Sequence, residues 1–331
     1  MFKNKNLWTY VAIAAILIVT LFVVFQEKAD VEQTGKESPK IEIRIARLPG
    51  GLSDFPLLLA EDKGFFEKEG LEVEFKPMQP QLGIPALLAD EVDYIYFTVS
   101  SVIASQKGAP IKIIMFLQKE QRPILLAQPG LEMEELKNIA FANPYSPIHY
   151  SALKLIAENN LEAEIIAVDG APAISTAMLT QKQVDAALKV APEAFQLQEQ
   201  GYALLGILGD SLPIGLTTRD DKITESPEEI EKVISAVLSA MEFIKNNPEE
   251  TKEFIFQSFN LERNEINERI VDMTYSIIEE TNPETGTLDE GDISTLIKFA
   301  KAGSFKNFED IESQTVTQEE IAKSVDLRFL K

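Results

Sequence analysis

The chain has 331 residues, of which 53 are acidic and 31 basic, giving a formal net charge of −22. That balance argues against a nucleic-acid partner, because nothing offsets repulsion from phosphates. With no cysteine and a single histidine, His149, disulfides, thiolate or histidine-cluster metal sites and a cysteine nucleophile are excluded. Residues 7–25 carry no charge, with Lys3 and Lys5 before them and Glu27, Asp30 and Glu32 after. At about 1.5 Å per residue such a run just spans a hydrocarbon core of about 30 Å. Trp8 and Tyr10 stand where interfacial aromatics belong. The reading is one transmembrane helix with the globular part outside; the alternative is a cleaved signal peptide, whose apolar region is normally shorter. Residues 29–40 are polar and read as a tether, so 1–40 form an anchor or signal segment.

From Ile41 onward short β-runs alternate with amphipathic helices. Residues 41–45 and 71–75 alternate apolar and polar side chains as strands do, and 56–69 between them read as a helix. A short helix over 85–90, a strand over 94–97, a helix over 100–107 and strands over 111–117 and 124–127 follow. The order then returns. Residues 161–165 repeat the alternation of 71–75, and Met178-Leu179 before Val184-Asp185 matches Leu87-Leu88 before Val92-Asp93. An α/β alternation of this kind predicts a mainly parallel sheet covered on both faces. Its repetition predicts two lobes facing a cleft. From Ser226 the tail reads as helical, opening with a capping box at Ser226 and Glu229 and packing on lobe one.

Residues 60–74, Ala-Glu-Asp-Lys-Gly-Phe-Phe-Glu-Lys-Glu-Gly-Leu-Glu-Val-Glu, closely resemble the opening helix and second strand of ABC-transporter substrate-binding proteins for nitrate, sulfonates, taurine and thiamine-pyrimidine precursors. Gly108-Ala109-Pro110-Ile111, Gln183-Val184-Asp185-Ala186 and Ala191-Pro192 extend the resemblance over 41–209. It implies a type II periplasmic-binding-protein fold, hinged by two crossing segments and preceded here by the transmembrane helix. The crossings are expected near Ala127-Gln128 and over 206–216, with 41–127 plus 206–331 as lobe one and 128–205 as lobe two. The resemblance also implies a small ligand between the lobes and an ABC permease as partner. The cysteine-rich segment and histidine pair of the family's pyrimidine-synthesising branch are absent.

Helices beginning at Pro56, Pro147, Pro172 and Pro192 place their amino-terminal ends beside the carboxyl ends of strands, where ligands bind. Their free N–H groups attract anions. Thr98, Ser100 and Ser101, at a strand-to-helix junction, and Ser146, before Pro147, are candidate ligand contacts or plain helix caps. The stiff loop 143–150 offers Asn143 and Tyr145, the latter to lay its ring on a ligand or to pack between lobes. In the same loop His149 is expected to pack rather than titrate. Gln81 offers an amide or sits in an ordinary turn. Lys189 balances an anion or is solvated, while Asp54 favours an amine or guanidine instead. An anionic or strongly accepting ligand met by Thr98, Ser100 and Ser146 is the expectation. No phosphate loop, nucleophile elbow or His-Glu-x-x-His helix is present, and no catalytic residue, metal or cofactor is expected. The leading reading is an extracytoplasmic solute-binding protein that takes a sulfonate-, nitrate- or pyrimidine-like ligand to a permease. The alternatives are a membrane-tethered sensor and, last, an enzyme of pyrimidine synthesis.

Overall fold

The alternation of residues 41–45 becomes β1 (Ile41–Arg47), with Ile43 and Ile45 fully buried. In the computed structural model, which describes residues 40–170, 172–302 and 307–330, β1 runs parallel to β2 (Leu71–Pro77). The helix expected over 56–69 is two helices, α1 (Phe55–Asp62) and α2 (Phe65–Lys68). Gly64 separates them at φ 68°, the left-handed conformation that ends helices. Next come α3 (Pro80–Leu88) and α4 (Thr98–Gln106). The strand expected over 94–97 shrinks to two ladder bridges, Ile45 with Tyr94 and Ile95 with Thr217, before the chain turns into α4. β3 (Ile111–Gln118) pairs antiparallel with β9 (Ile214–Arg219). Lobe one therefore reads β2-β1-(94–95)-β9-β3.

Lobe two holds β4 (Ile124–Ala127), β5 (Asn138–Ala142), α5 (Pro147–Asn159), β6 (Glu164–Val168), α6 (Ala173–Thr180), β7 (Ala186–Lys189), α7 (Glu193–Glu199) and β8 (Ala203–Ile207). Its sheet has the order β6-β5-β7-β4-β8. The two lobes share one plan, with parallel strands first and an antiparallel strand supplied by a crossing segment next to the last. Within this plan β6 begins at Glu164 rather than 161. Asn160 at φ 49° and the Leu161 N–H bond to the Ile156 carbonyl (3.0 Å) finish α5 first.

The membership of β4 moves the first crossing to residues 119–123, ahead of the expected Ala127-Gln128; the second is 208–213. Ile-Leu-Leu-Ala, buried at all four positions, announces a strand without saying which sheet takes it. The crossings are bonded to each other: Gln121 N–H to the Leu212 carbonyl at 3.0 Å and Leu208 N–H to the Pro123 carbonyl at 2.8 Å.

The tail comprises α8 (Asp220–Glu225), α9 (Pro227–Asn246), α10 (Pro248–Ser258), α11 (Glu265–Thr281), α12 (Glu290–Ala302), α13 (Phe308–Glu312) and α14 (Gln318–Ser324). On α9 the face of Ile230, Val233, Ile234, Val237 and Met241 is buried, but the expected capping box does not form. Glu229 instead accepts from Tyr94 Oη (2.8 Å) and pairs with Lys222 Nζ (2.9 Å). Nor does the tail rest on lobe one alone: Tyr150 of α5 meets the rings of Phe299 and Phe308 at 5.6 and 5.5 Å. The expected span over 7–25 lies outside the described residues, and among those described no helix is long and apolar enough to cross a membrane.

Candidate functional site

The carboxyl ends of both sheets face one cavity of about 120 Å³. Lobe one supplies the loop after β1, where Pro49, Gly50 and Gly51 turn the chain, and the entry to α4 from Tyr96 to Ser100. Lobe two supplies residues 142–148, Pro172 and Val190, while Gln121 of the first crossing closes one side.

Five of the nine expected residues line this cavity together: Thr98, Ser100, Asn143, Tyr145 and Ser146. Their roles differ. The Thr98 hydroxyl is already committed, donating to the Tyr96 carbonyl (3.2 Å) and accepting from Gly215 N–H (2.8 Å). Ser146 caps α5 by accepting from His149 N–H at 3.4 Å. Asn143, at φ 64°, holds a buried Oδ1 without a hydrogen-bond partner. Tyr145 is 48% exposed, with φ 62°, and its N–H donates to His149 Nδ1 at 3.3 Å. His149 packs, as expected, its ring 5.1 Å from that of Phe141. The Ser100 hydroxyl and the Val99 and Ser100 N–H groups donate to no protein acceptor among the described residues.

Four expected residues are turned away. Ser101 bonds back to the Phe97 carbonyl (3.1 Å) within its helix. Gln81 reaches across the cleft mouth to Asp169 Oδ1 at 3.3 Å instead of lining the cavity. Asp54 is fully buried, and its Oδ2 accepts from Arg47 Nε at 2.7 Å. Burial pushes its carboxyl up, against the pull of Arg47. Lys189 is only 2% exposed and is neither solvated nor offered to a ligand. Its ammonium meets the Pro172 carbonyl (2.8 Å), Thr176 Oγ1 (2.6 Å), Ser175 Oγ (3.3 Å) and Glu193 Oε2 (2.9 Å). Burial lowers its pKa while Glu193 opposes the shift.

The cavity walls thus combine small, proline, aromatic and aliphatic residues with the amides of Gln121 and Asn143, and carry no charged side chain among the described ones. Converging helix ends favour an anion by about 0.3–2 kcal/mol each. Leaving a buried ion without a partner costs about 3–5 kcal/mol.

Reasoning from sequence missed Tyr96, whose hydroxyl joins Leu48 N–H (2.7 Å) and carbonyl (3.1 Å) and so pins the glycine loop to the cavity wall. It also missed Gln121, which donates to Ser53 Oγ at 3.0 Å. The Gly50-Gly51 pair after a first strand was the available signal for that loop.

A family model described as NMT1/THI5 like matches residues 53–251. Comparison with curated proteins gives no match. Among solved structures, the periplasmic aliphatic sulphonate binding protein SsuA from Escherichia coli is similar, with 17% identity and a TM-score of 0.66 over 87% of this chain and 92% of that one. The alkanesulfonate-binding protein SsuA from Xanthomonas axonopodis pv. citri, bound to MOPS, gives 19% and 0.65 over 81% and 93%. The periplasmic nitrate-binding protein NrtA from Synechocystis PCC 6803 gives 12% and 0.63 over 88% and 86%. At these identities the likeness is one of fold.

Proposed function

The chain belongs to the NMT1/THI5-like family, and from that premise we propose that it is a non-enzymatic, extracytoplasmic solute-binding protein that captures one small ligand between its lobes and presents it to an ABC permease. One observation carries the reading: a single cavity at the carboxyl ends of both sheets, walled by the α4 entry of lobe one and the α5 entry of lobe two. A ligand there touches both lobes at once, so it binds the closed arrangement better than any open one and shifts the population toward it. The Gln81–Asp169 bond across the mouth adds to the closed side of that balance. The apolar run at 7–25, as an uncleaved span, tethers the binding unit beside the permease. The sulfonate- and nitrate-binding proteins of similar fold supply the analogy for delivery to a transporter.

A thermal-shift screen of small organic and inorganic solutes, followed by calorimetry, tests this. The expected result is one ligand per chain and a stabilisation of about 2.7 kcal/mol at a hundredfold excess over Kd. Ser100→Trp, which fills the cavity, abolishes that binding. Unchanged affinity in this variant places the ligand elsewhere and overturns the reading.

A further inference from the structure

We infer that the cleft selects an uncharged solute, a compact neutral molecule rich in hydrogen-bond acceptors, in preference to a sulfonate, nitrate, ammonium or zwitterion of similar size. This deepens the reading of the cleft as a solute site and rests on it.

Asp54 and Lys189, the two charged residues expected at the ligand, are paired inside the protein and do not line the cavity. Asp54 pairs through Oδ2 with Arg47 at 2.7 Å, and its Oδ1, buried without a hydrogen-bond partner, lies outside the cavity lining. The Lys189 ammonium has three protons and four oxygens around it, one of them from Glu193, so it has no donor left for a ligand. No described lining residue replaces either charge. An anion entering the cavity meets helix-end N–H groups and neutral donors such as the Ser100 hydroxyl but no counter-charge, so dipoles alone must offset the burial of its full charge. The net charge of −22 opposes its approach as well. A cation fares no better, because the α4 and α5 entries present the positive ends of their helices and no carboxylate lines the walls. A zwitterion suffers both deficits.

A neutral acceptor avoids all of these. Val99 and Ser100 N–H and the Ser100 hydroxyl stand ready to donate, while the Tyr96 and Phe97 rings and the prolines of both lobes enclose an uncharged body.

The test compares molecules of nearly one shape that differ in charge: dimethyl sulfone and methanesulfonamide against methanesulfonate, with 2-pyrrolidone, nitrate and taurine completing the set. Calorimetry on the full chain at low and high salt is expected to rank a neutral probe at least about tenfold tighter than any charged one, with no salt dependence. Tightest binding by methanesulfonate, nitrate or taurine overturns this inference and leaves the solute-binding reading standing. Binding by none of the six overturns that reading, and the inference falls with it. Ser100→Lys, which puts an ammonium into the cavity, is expected to invert the order between dimethyl sulfone and methanesulfonate. An order left unchanged by that lysine removes the electrostatic basis.

Discussion

Asp93 shows how single residues in this protein divide between structure and site. It sits in the repeated Val-Asp turn, 4% exposed, and binds Arg44 Nε at 2.9 Å and Lys222 Nζ at 2.9 Å. Burial pushes its carboxyl up, but the hydrogen bonds from Arg44 and Lys222 outweigh burial and hold it down at about 2. A depressed carboxyl contributes stability that is complete above its ordinary value of 3.8 and is lost as pH falls toward the folded value. Asp93 therefore accounts for about 1–2 kcal/mol of the stability lost between about pH 4 and pH 2, after solvent screening. Urea unfolding across that window is expected to fall less steeply in Asp93→Asn, which is itself about 3 kcal/mol less stable at neutral pH because Lys222 loses a buried partner. Parallel slopes would remove Asp93 from the acid response. Thr98 belongs to structure in the same sense. With its hydroxyl spent on Gly215 N–H and the Tyr96 carbonyl, Thr98→Ala is expected to cost about 1–3 kcal/mol of stability and to change ligand affinity less than Ser100→Ala does. Calorimetry paired with denaturant melts separates the two effects.

Among the elements, α3 is the one whose packing reaches the cavity through a missing side chain. A Cβ on Gly83 would lie 2.3 and 2.6 Å from two ring carbons of Phe97, which forms part of the cavity wall. Helix propensity favours alanine over glycine by about 1 kcal/mol, and the clash opposes it by about 1–3 kcal/mol. Gly83→Ala is expected to be destabilised on balance and to bind ligand more weakly, since the ring must turn into the cavity. A more stable variant with parental affinity would contradict that. This contact also marks the limit of what residue order reveals. The strands at 41, 71 and 111 and the second round of the same plan are local signals of period and turn, and they were legible, whereas the helix over 56–69 was read as unbroken and divides at Gly64. Pairing between distant segments was not. Ile-Leu-Leu-Ala at 124–127 carries no address for its sheet, and Glu229 fits a capping box until Tyr94 and Lys222 arrive from elsewhere to take it. Lys189 was misjudged for the same reason, because Pro172, Thr176 and Glu193 enclose it only once α6 and α7 have packed. The stiffness of the loop 143–150 was legible from its two prolines, since chain stiffness and helix entry are encoded within eight residues.

At the scale of the whole molecule, each lobe completes its sheet with a strand delivered by a crossing, and a third connection joins them on the side of α12. Phe299 lies 5.6 Å from Tyr150 and 5.9 Å from His149, both on α5 of lobe two. The same ring belongs to a buried apolar cluster with Val99 and Val102 of α4 in lobe one. Helix α12 thus packs on α4 and, through Phe299, on α5, the two helices whose entries wall the cavity, so motion of lobe two relative to lobe one must work against that packing. Truncation to alanine would cost about 3–5 kcal/mol and confuse loosening with unfolding. Phe299→Leu, which keeps most of the volume, costs less than about 1.5 kcal/mol and isolates the tie. Hydrogen exchange is expected to quicken in α5 of this variant while the amides of β5 and β7, in the same lobe, keep their protection. Ligand affinity is expected to fall, because part of the binding free energy then goes into ordering α5 against α4. Faster exchange spread evenly over both lobes would mean that Phe299 fills space without joining them. Exchange confined to α5 with affinity unchanged would mean that the tie exists but the cavity does not depend on it.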